Sequence, residues 1–543
     1  MTLERVDSKT RIILGLSVAA FFVGAALVGF SLNFSMIGSQ SSADKARQLT
    51  QDLDKATNNY LRASARGKQS AEEKVIVLAA KRKQVMLELA INDPNTFVGT
   101  LVSAETIKKM PASARSLVEQ DVELEGELTA IHIEYEDAYQ DTAPQRHFEY
   151  SLKDASGNDI RLISVDEEIE LQTGSVIRVK GKKLDDTIVI AGAAGGSKGT
   201  VTTSVVSSTG PQKFLVLLVN FIDNPAQPFT PEGIQDRVFS PTGTSSVTYY
   251  NEVSFGKVAI SGDVMGWFTV GAPSSGGCAY KTWADLANAA ATSAGIDVAS
   301  YARVGYVFAQ TTTCTWSALG TIGGTPSAFY VHGNRAADTF IHEMGHNLGV
   351  HHAGKWYCGS KSIDVYANCQ TSEYGDFQDI MGGGTYLYGH FNPPHKYALK
   401  WLTSTQVQTV STRAGTYTYD ITTSYKSDGA IKLLKIAKPD TNESYYIGYP
   451  WPSGSRYGKI YYADRKNQFT GARIYIWNGL ASKQTRLLDT HPLDSASSPD
   501  EAFADGTIFV DAANGITVRQ ISHNSEIATI QVTIERGSGG GKK

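Results

Sequence analysis

Residues 341–352 read IHEMGHNLGVHH, and few twelve-residue stretches restrict a fold so tightly. His342 and His346 are four apart, a spacing that on an α-helix puts both rings on one face about 5–6 Å apart, where they can grip one metal ion. Ala337, Ile341, Met344 and Leu348 fall on a neighbouring face that can pack into a core. Asn334 and Asp338 are the candidates to cap the helix start. Gly349 stands where helices commonly stop, because glycine accepts the left-handed conformation at a helix C-terminus. The chain can then turn sharply and bring a third histidine to the same ion.

Three neutral imidazoles would leave the fourth position of a tetrahedral zinc open to water. Glu343 follows the first histidine and points into the same cleft, where it can act as general base toward a water that zinc brings to a pKa near 7. The same carboxyl can then hand the proton to the leaving amine of a peptide. Two adjacent histidines compete for the third place. Counting from Gly349, His352 is third and His351 second, so the pattern HExxHxxGxxH selects His352 and leaves His351 as a neighbour. A surface helix carrying solvent-satisfied histidines is the bland alternative, and it has no use for Gly349 and His352 at these offsets.

The pattern resembles the metzincin signature, which carries a methionine turn downstream. Met381 in GDFQDIMGGG matches that turn, and the resemblance makes it a packing floor beneath the histidines rather than a ligand. TGPQKFLVLLVNF (209–221), FIHEMGHNLGVHHAG (340–354), YGDFQDIMGGG (374–384) and HFNPPHKYALKWL (390–402) together resemble the gametolysin family of metallopeptidases. The resemblance covers roughly 209–403 and extends more weakly into the tail. It implies a zinc endopeptidase acting on extracellular or cell-surface protein, with matrix or cell-wall glycoproteins as the family's substrate class. His342, His346 and His352 would hold one Zn2+ and Glu343 would catalyse. SALGTIGG (317–324), with Leu319, Gly320 and Thr321 at its centre, resembles the edge strand along which metzincins lay an extended substrate.

Two departures from the family pattern stand out. Some metzincins place a tyrosine two residues after the turn methionine, where this chain has Gly383; Tyr386 and Tyr388 are nearby. No cysteine precedes Cys278, so no thiolate from the N-terminal region can cap the metal. Latency would need steric cover or another ligand, such as an Asp.

The four cysteines, Cys278, Cys314, Cys358 and Cys369, all lie near the motif. An even count suggests two disulfides, most simply Cys278 with Cys314 and Cys358 with Cys369, although four cysteines permit three pairings. Disulfides persist outside the reducing cytoplasm. The N-terminus points the same way. Ile12 to Phe30 is an uncharged apolar run preceded by Arg5, Lys9 and Arg11, and its length suits a signal anchor better than a cleaved signal peptide. The expectation is a peptidase anchored in the membrane with its catalytic domain outside, or secreted if that segment is cut. The formal net charge of -4 gives no basic footprint for nucleic acid.

The remaining chain divides by its periodicity. After a tip and anchor at 1–40, an apolar seam at spacings of three and four predicts a helical stalk or hairpin over 41–92, broken at Gly67. Period-two pieces such as GELTAIHIEYED, RHFEYSLKD and GSVIRVKGK predict a small β accessory or pro-domain at 93–191, whose charges read as an exposed strand face with no catalytic role. A small-residue linker at 192–208, open to proteases, would precede the zinc metallopeptidase domain at 209–403. KFLVLLVNF (213–221) reads there as a buried strand. A C-terminal β domain at 404–537 and a disordered tail at 538–543 complete the chain. The acidic stretch Asp489–Asp505 is a candidate for structural Ca2+, though its spacing fits no calcium loop.

The fold class is therefore α+β, a metzincin-like zinc peptidase domain with an N-terminal transmembrane or helical segment and flanking all-β domains. The rival from another class is a surface adhesion protein with a vestigial zinc site, against which the intact Glu343 argues. A zinc hydrolase acting on a non-peptide bond shares the same ligand geometry.

Overall fold

The structure is a computed structural model that describes residues 41–535 apart from 137–146, 167, 193–195, 205, 386–387, 453, 459–470 and 493–501. The apolar run at 12–30 and the tail at 538–543 lie outside the described residues. Among the described residues no helix is long and apolar enough to cross a membrane.

The alternation that begins at Gln120 continues for 16 residues as one strand, β1 (Gln120–Tyr135). It is followed by β2 (Phe148–Asp154), β3 (Asp159–Ser164), β4 (Val176–Leu184), β5 (Thr187–Ile190) and β6 (Ser197–Thr202). β1 pairs with β4 through residues 120–127 and with β2 through 126–132, so strands β1 to β5 close into a small barrel. Leu128, Leu152, Ile160, Leu162, Ile177, Val179 and Ile188 fill it. The helices Ser42–Arg62 and Lys68–Asn92 lie against this barrel, with Ala46, Met86 and Leu89 packed on Ile163, Leu184 and Val189. Arg82 holds them to the following loop through a buried bidentate pair with Glu119 at 2.7 and 2.9 Å.

The stretch expected to be an open linker is more ordered than its small residues imply. β6 adds to β4 as an edge strand. Just beyond it, Ser208 is pinned to the peptidase region: its hydroxyl donates to Leu399 O, and its carbonyl accepts from Trp401 Nε1, both at 2.9 Å.

A second part of the same sheet is built from β7 (Gly210–Phe221), β8 (Val258–Val270), β9 (Arg303–Phe308), β10 (Trp316–Thr321) and β11 (Ser327–His332). Its order is β10-β11-β9-β7-β8, parallel except for β10. The continuous apolar run in β7 follows from cover on both faces. Phe214, Val216 and Leu218 pack with Phe340, Ile341 and Met344 on one side. Leu215, Leu217 and Val219 pack with Trp283, Ala287 and Ala291 of the Tyr280–Ser293 helix on the other.

The two parts are joined by β1, whose last residues pair antiparallel with β10 in the register Ile131↔Thr321, His132↔Gly320, Ile133↔Leu319 and Glu134↔Ala318. Past the motif, β12 (Ala353–Tyr357) pairs in parallel with strand Thr485–Leu488, so a seven-stranded sheet runs across position 403. A four-stranded sheet of later strands packs on it through Ile421, Ile436, Tyr445, Phe509, Val518 and Ile530. Two disulfides are formed, Cys278–Cys314 and Cys358–Cys369.

Candidate metal centre

The motif occupies a helix, Ala337–Asn347, buried along almost its whole length. Its N-terminus is not capped as expected. Ala336 is the cap position and makes no side-chain bond, Asp338 turns to the amide of Thr339 at 2.7 Å, and Asn334 accepts from Arg237 instead. An arginine offers Asn334 a charge-assisted partner, which a backbone amide cannot match. Gly345 faces Met381 so closely that a Cβ there would meet its Sδ at 2.4 Å, and Met381 is fully buried beneath the helix. After Leu348 the chain reverses at Gly349, whose φ of +109° a side chain would strain. The amide of Gly349 donates to His346 O at 2.8 Å, and Arg303 donates to the carbonyl of Asn347, so the helix end is satisfied.

Three histidines converge from this turn. His342 Nδ1 donates to Ile380 O at 2.8 Å and His346 Nδ1 to Val350 O at 2.9 Å. His352 Nδ1 donates to Glu373 Oε1 at 3.1 Å. A carbonyl can only accept, so each of the first two rings carries its proton on Nδ1 and turns a bare Nε2 lone pair inward. Nε2 of His342 and Nε2 of His352 are 3.3 Å apart. Two ligands about 2.05 Å from a tetrahedral zinc stand about 3.3–3.4 Å apart, so the spacing fits that ion. Lone pairs facing one another in a buried site call for a cation, and each ring already has the outer hydrogen bond that orients a metal-binding imidazole. His351 is placed differently. Its Nδ1 accepts from the amide of His352 at 2.5 Å and its ring lies against Phe148 at 5.0 Å.

Glu343 is fully buried, and neither of its carboxyl oxygens has a hydrogen-bond partner. Burial pushes its pKa up to about 8 against the favourable field of His342, with Glu134 adding to the rise. β10 passes directly over it. A Cβ on Gly320 would lie 2.6 Å from Glu343 Oε2 and 3.0 Å from the His346 Cβ, so only glycine lets the strand approach this carboxyl. Leu319, Gly320 and Thr321 thus border the site, but both edges of β10 are taken, one by β11 and the other by β1.

Sequence reasoning missed four residues around the cluster, Glu134, Tyr374, Glu373 and His132. Glu134, expected on a solvent-facing strand, puts Oε1 at 2.7 Å from His352 Nε2, 3.3 Å from His342 Nε2 and 3.4 Å from His346 Nε2. The physical reason is strand alternation: Ile131 and Ile133 join the apolar core, which turns His132 and Glu134 to the opposite face, over the motif helix. Tyr374 donates its hydroxyl to Glu134 Oε2 at 2.5 Å and packs on the ring of His352 at 4.2 Å. Glu373 bonds both His352 and, at 2.9 Å, His132 Nε2. Burial disfavours a charged His132, but Glu134 and Glu373 outweigh it and hold the ring up to about 10. The signal available in the sequence was His132 and Glu134 two apart on one strand face. Tyr388, one of the two tyrosines near the methionine turn, packs instead against Tyr457, and Tyr386 lies outside the described residues.

Groups of histidine and carboxylate able to hold a metal, among the described residues, all draw on this one region. None includes the Asp489–Asp505 stretch, of which 493–501 lie outside the described residues, so calcium finds no support.

Residues 214–442 match the model of the gametolysin peptidase M11 family. The matched segment runs from within β7 past the methionine turn and holds His342, Glu343, His346, His352, Tyr374 and Met381, whereas Glu134 and the barrel precede it. The histidines that converge on one point therefore lie in a gametolysin peptidase M11 domain, the domain of a metallopeptidase.

Proposed function

We propose that the protein is a zinc endopeptidase in which His342, His346 and His352 hold one Zn2+ and Glu343 is the general base. The observation that carries this is the set of three inward Nε2 atoms, their Nδ1 protons already committed, beside a buried carboxyl with no partner. Zinc bound by three imidazoles supplies Lewis acidity and an acidified water.

The chain's own residues supply the rest. Glu343, dry and unpaired, takes a proton from the attacking water and returns it to the leaving amine. Tyr374, whose hydroxyl already donates to a carboxylate oxygen over the cluster, is assigned to the carbonyl oxygen as it gains negative charge. β10 supplies the backbone edge on which an extended peptide would lie, with Gly320 keeping the strand close to the base. The two disulfides favour work outside the reducing cytoplasm, on extracellular or cell-surface protein.

The test compares the full chain with Glu343→Gln, both loaded with zinc, on a denatured protein substrate before and after limited proteolysis. Zinc at one per chain in both and cleavage by the wild type alone is the expected result. Equal cleavage by both would sink the mechanism. Zinc in both with cleavage by neither would favour the adhesion reading.

A further inference from the structure

The fourth atom of the cluster comes from the N-terminal barrel. Glu134 Oε1 is 2.7–3.4 Å from all three Nε2 atoms, a range that spans the 3.3 Å between the Nε2 atoms of His342 and His352. A carboxylate facing imidazole lone pairs would be repelled unless a cation, or protons, lay between them. Protonating the rings instead would crowd positive charge into a buried site. A carboxylate on a divalent ion is the arrangement that satisfies every atom.

The backbone points to the same answer. An extended peptide recognises an open sheet edge by adding to it as a strand. Here the open edge of β10 is filled by residues 131–135 of β1. The ladder shifts register between Glu134 and Tyr135, and such bulges re-aim a side chain or end a pairing. The second carboxylate oxygen meets Tyr374, the donor assigned above to the substrate's carbonyl oxygen. Glu134 thus fills the fourth ligand position and meets the oxyanion donor together, in a segment whose backbone fills the substrate strand.

We propose that Glu134 is the fourth ligand of the metal and that β1 is an intramolecular substrate mimic, so that the chain folds as its own inhibitor. The proposal rests on reading the three histidines as a zinc peptidase centre. No thiolate is involved. Activation consists of withdrawing 131–135 from β10, which at once opens the fourth coordination site, frees the Tyr374 hydroxyl and exposes the strand edge.

The test uses full-length wild type, Glu134→Gln and Glu134→Ala, each loaded with Co2+ and titrated with acetohydroxamate while the visible absorption of the metal is followed. If the cleft is open in fewer than a tenth of wild-type molecules, both variants bind the probe at concentrations at least about tenfold lower than the wild type does. A second measurement needs no variant: amide hydrogen exchange of residues 129–136 in the wild type slows when zinc is added. Indistinguishable titrations across the three proteins, or exchange at 129–136 that ignores zinc, would overturn the proposal and leave the metal centre standing. A wild type that binds neither metal would overturn the peptidase reading, and the proposal with it.

Discussion

Glu373 Oε1 accepts the Nδ1 proton of His352 at 3.1 Å, so that of the three converging motif histidines His352 has a carboxylate as outer partner where His342 and His346 have backbone carbonyls. Such a partner fixes the ring and raises its basicity. Glu373→Gln keeps the shape and removes the charge, and should weaken zinc binding by about tenfold, the low end for outer-shell changes. Competition with a chromophoric chelator measures it.

The adjacent histidines should separate cleanly. His352→Ala should lose zinc, because its Nε2 belongs to the cluster. His351→Ala should keep most of it, because that ring packs on Phe148 and its nitrogen receives a backbone amide. Metal content by mass spectrometry decides the matter, and the reverse pattern would exchange their roles.

Tyr374→Phe removes one hydroxyl and leaves the ring stacked on His352. With cleavage measured on proteolytically activated protein, kcat should fall by about 10²-fold with KM little changed, as loss of one oxyanion donor does. Zinc content should stay at the wild-type level. An unchanged kcat would return the oxyanion role to another group.

Acid should expose one tertiary tie. Burial alone would raise the pKa of Glu252, but hydrogen bonds from His390, Ser455 and the amide of Tyr457 outweigh it and hold the carboxyl near about 2. A depressed carboxylate contributes stability that is complete above its unfolded pKa, near 4.5, and is lost as pH falls through the folded value. Glu252→Gln should therefore cost about 2–3 kcal/mol at neutral pH and flatten the loss of stability between about pH 4.5 and 2. Denaturant unfolding at several pH values reads both.

What was legible in the sequence was local. His342, His346 and Gly349 stand in positions that helix geometry dictates within two turns, and the apolar run of β7 announces its burial on both faces. Residues brought in across long sequence separations were not. Glu134 lies more than 200 residues from the histidines it faces, and alternation alone could say only that it shares a strand face with His132. Which face that was depended on β10 lying beside β1, a pairing with no marker in either strand. Tyr374 enters only as the first residue of a stretch that resembles the gametolysin family, and nothing in the sequence singles out Glu373. The expected caps failed for a related reason: Asn334 found a distant arginine, Arg237, more rewarding than the nearby helix end.

The double membership of β1 decides where inhibitory strength resides. Residues 120–132 are held in the barrel by β2 and β4, so residues 131–135 enter the cleft with their direction and pleat already set. A free peptide of residues 129–136 would carry the same Glu134 but would first have to order its backbone, at about 1–2 kcal/mol per residue. Preorganisation removes most of that cost from the attached strand. Added in trans to an activated protein, the peptide should inhibit only feebly. The barrel is thus a scaffold for presenting a carboxylate, and changes to its core that never touch the metal should alter how firmly the cleft stays shut.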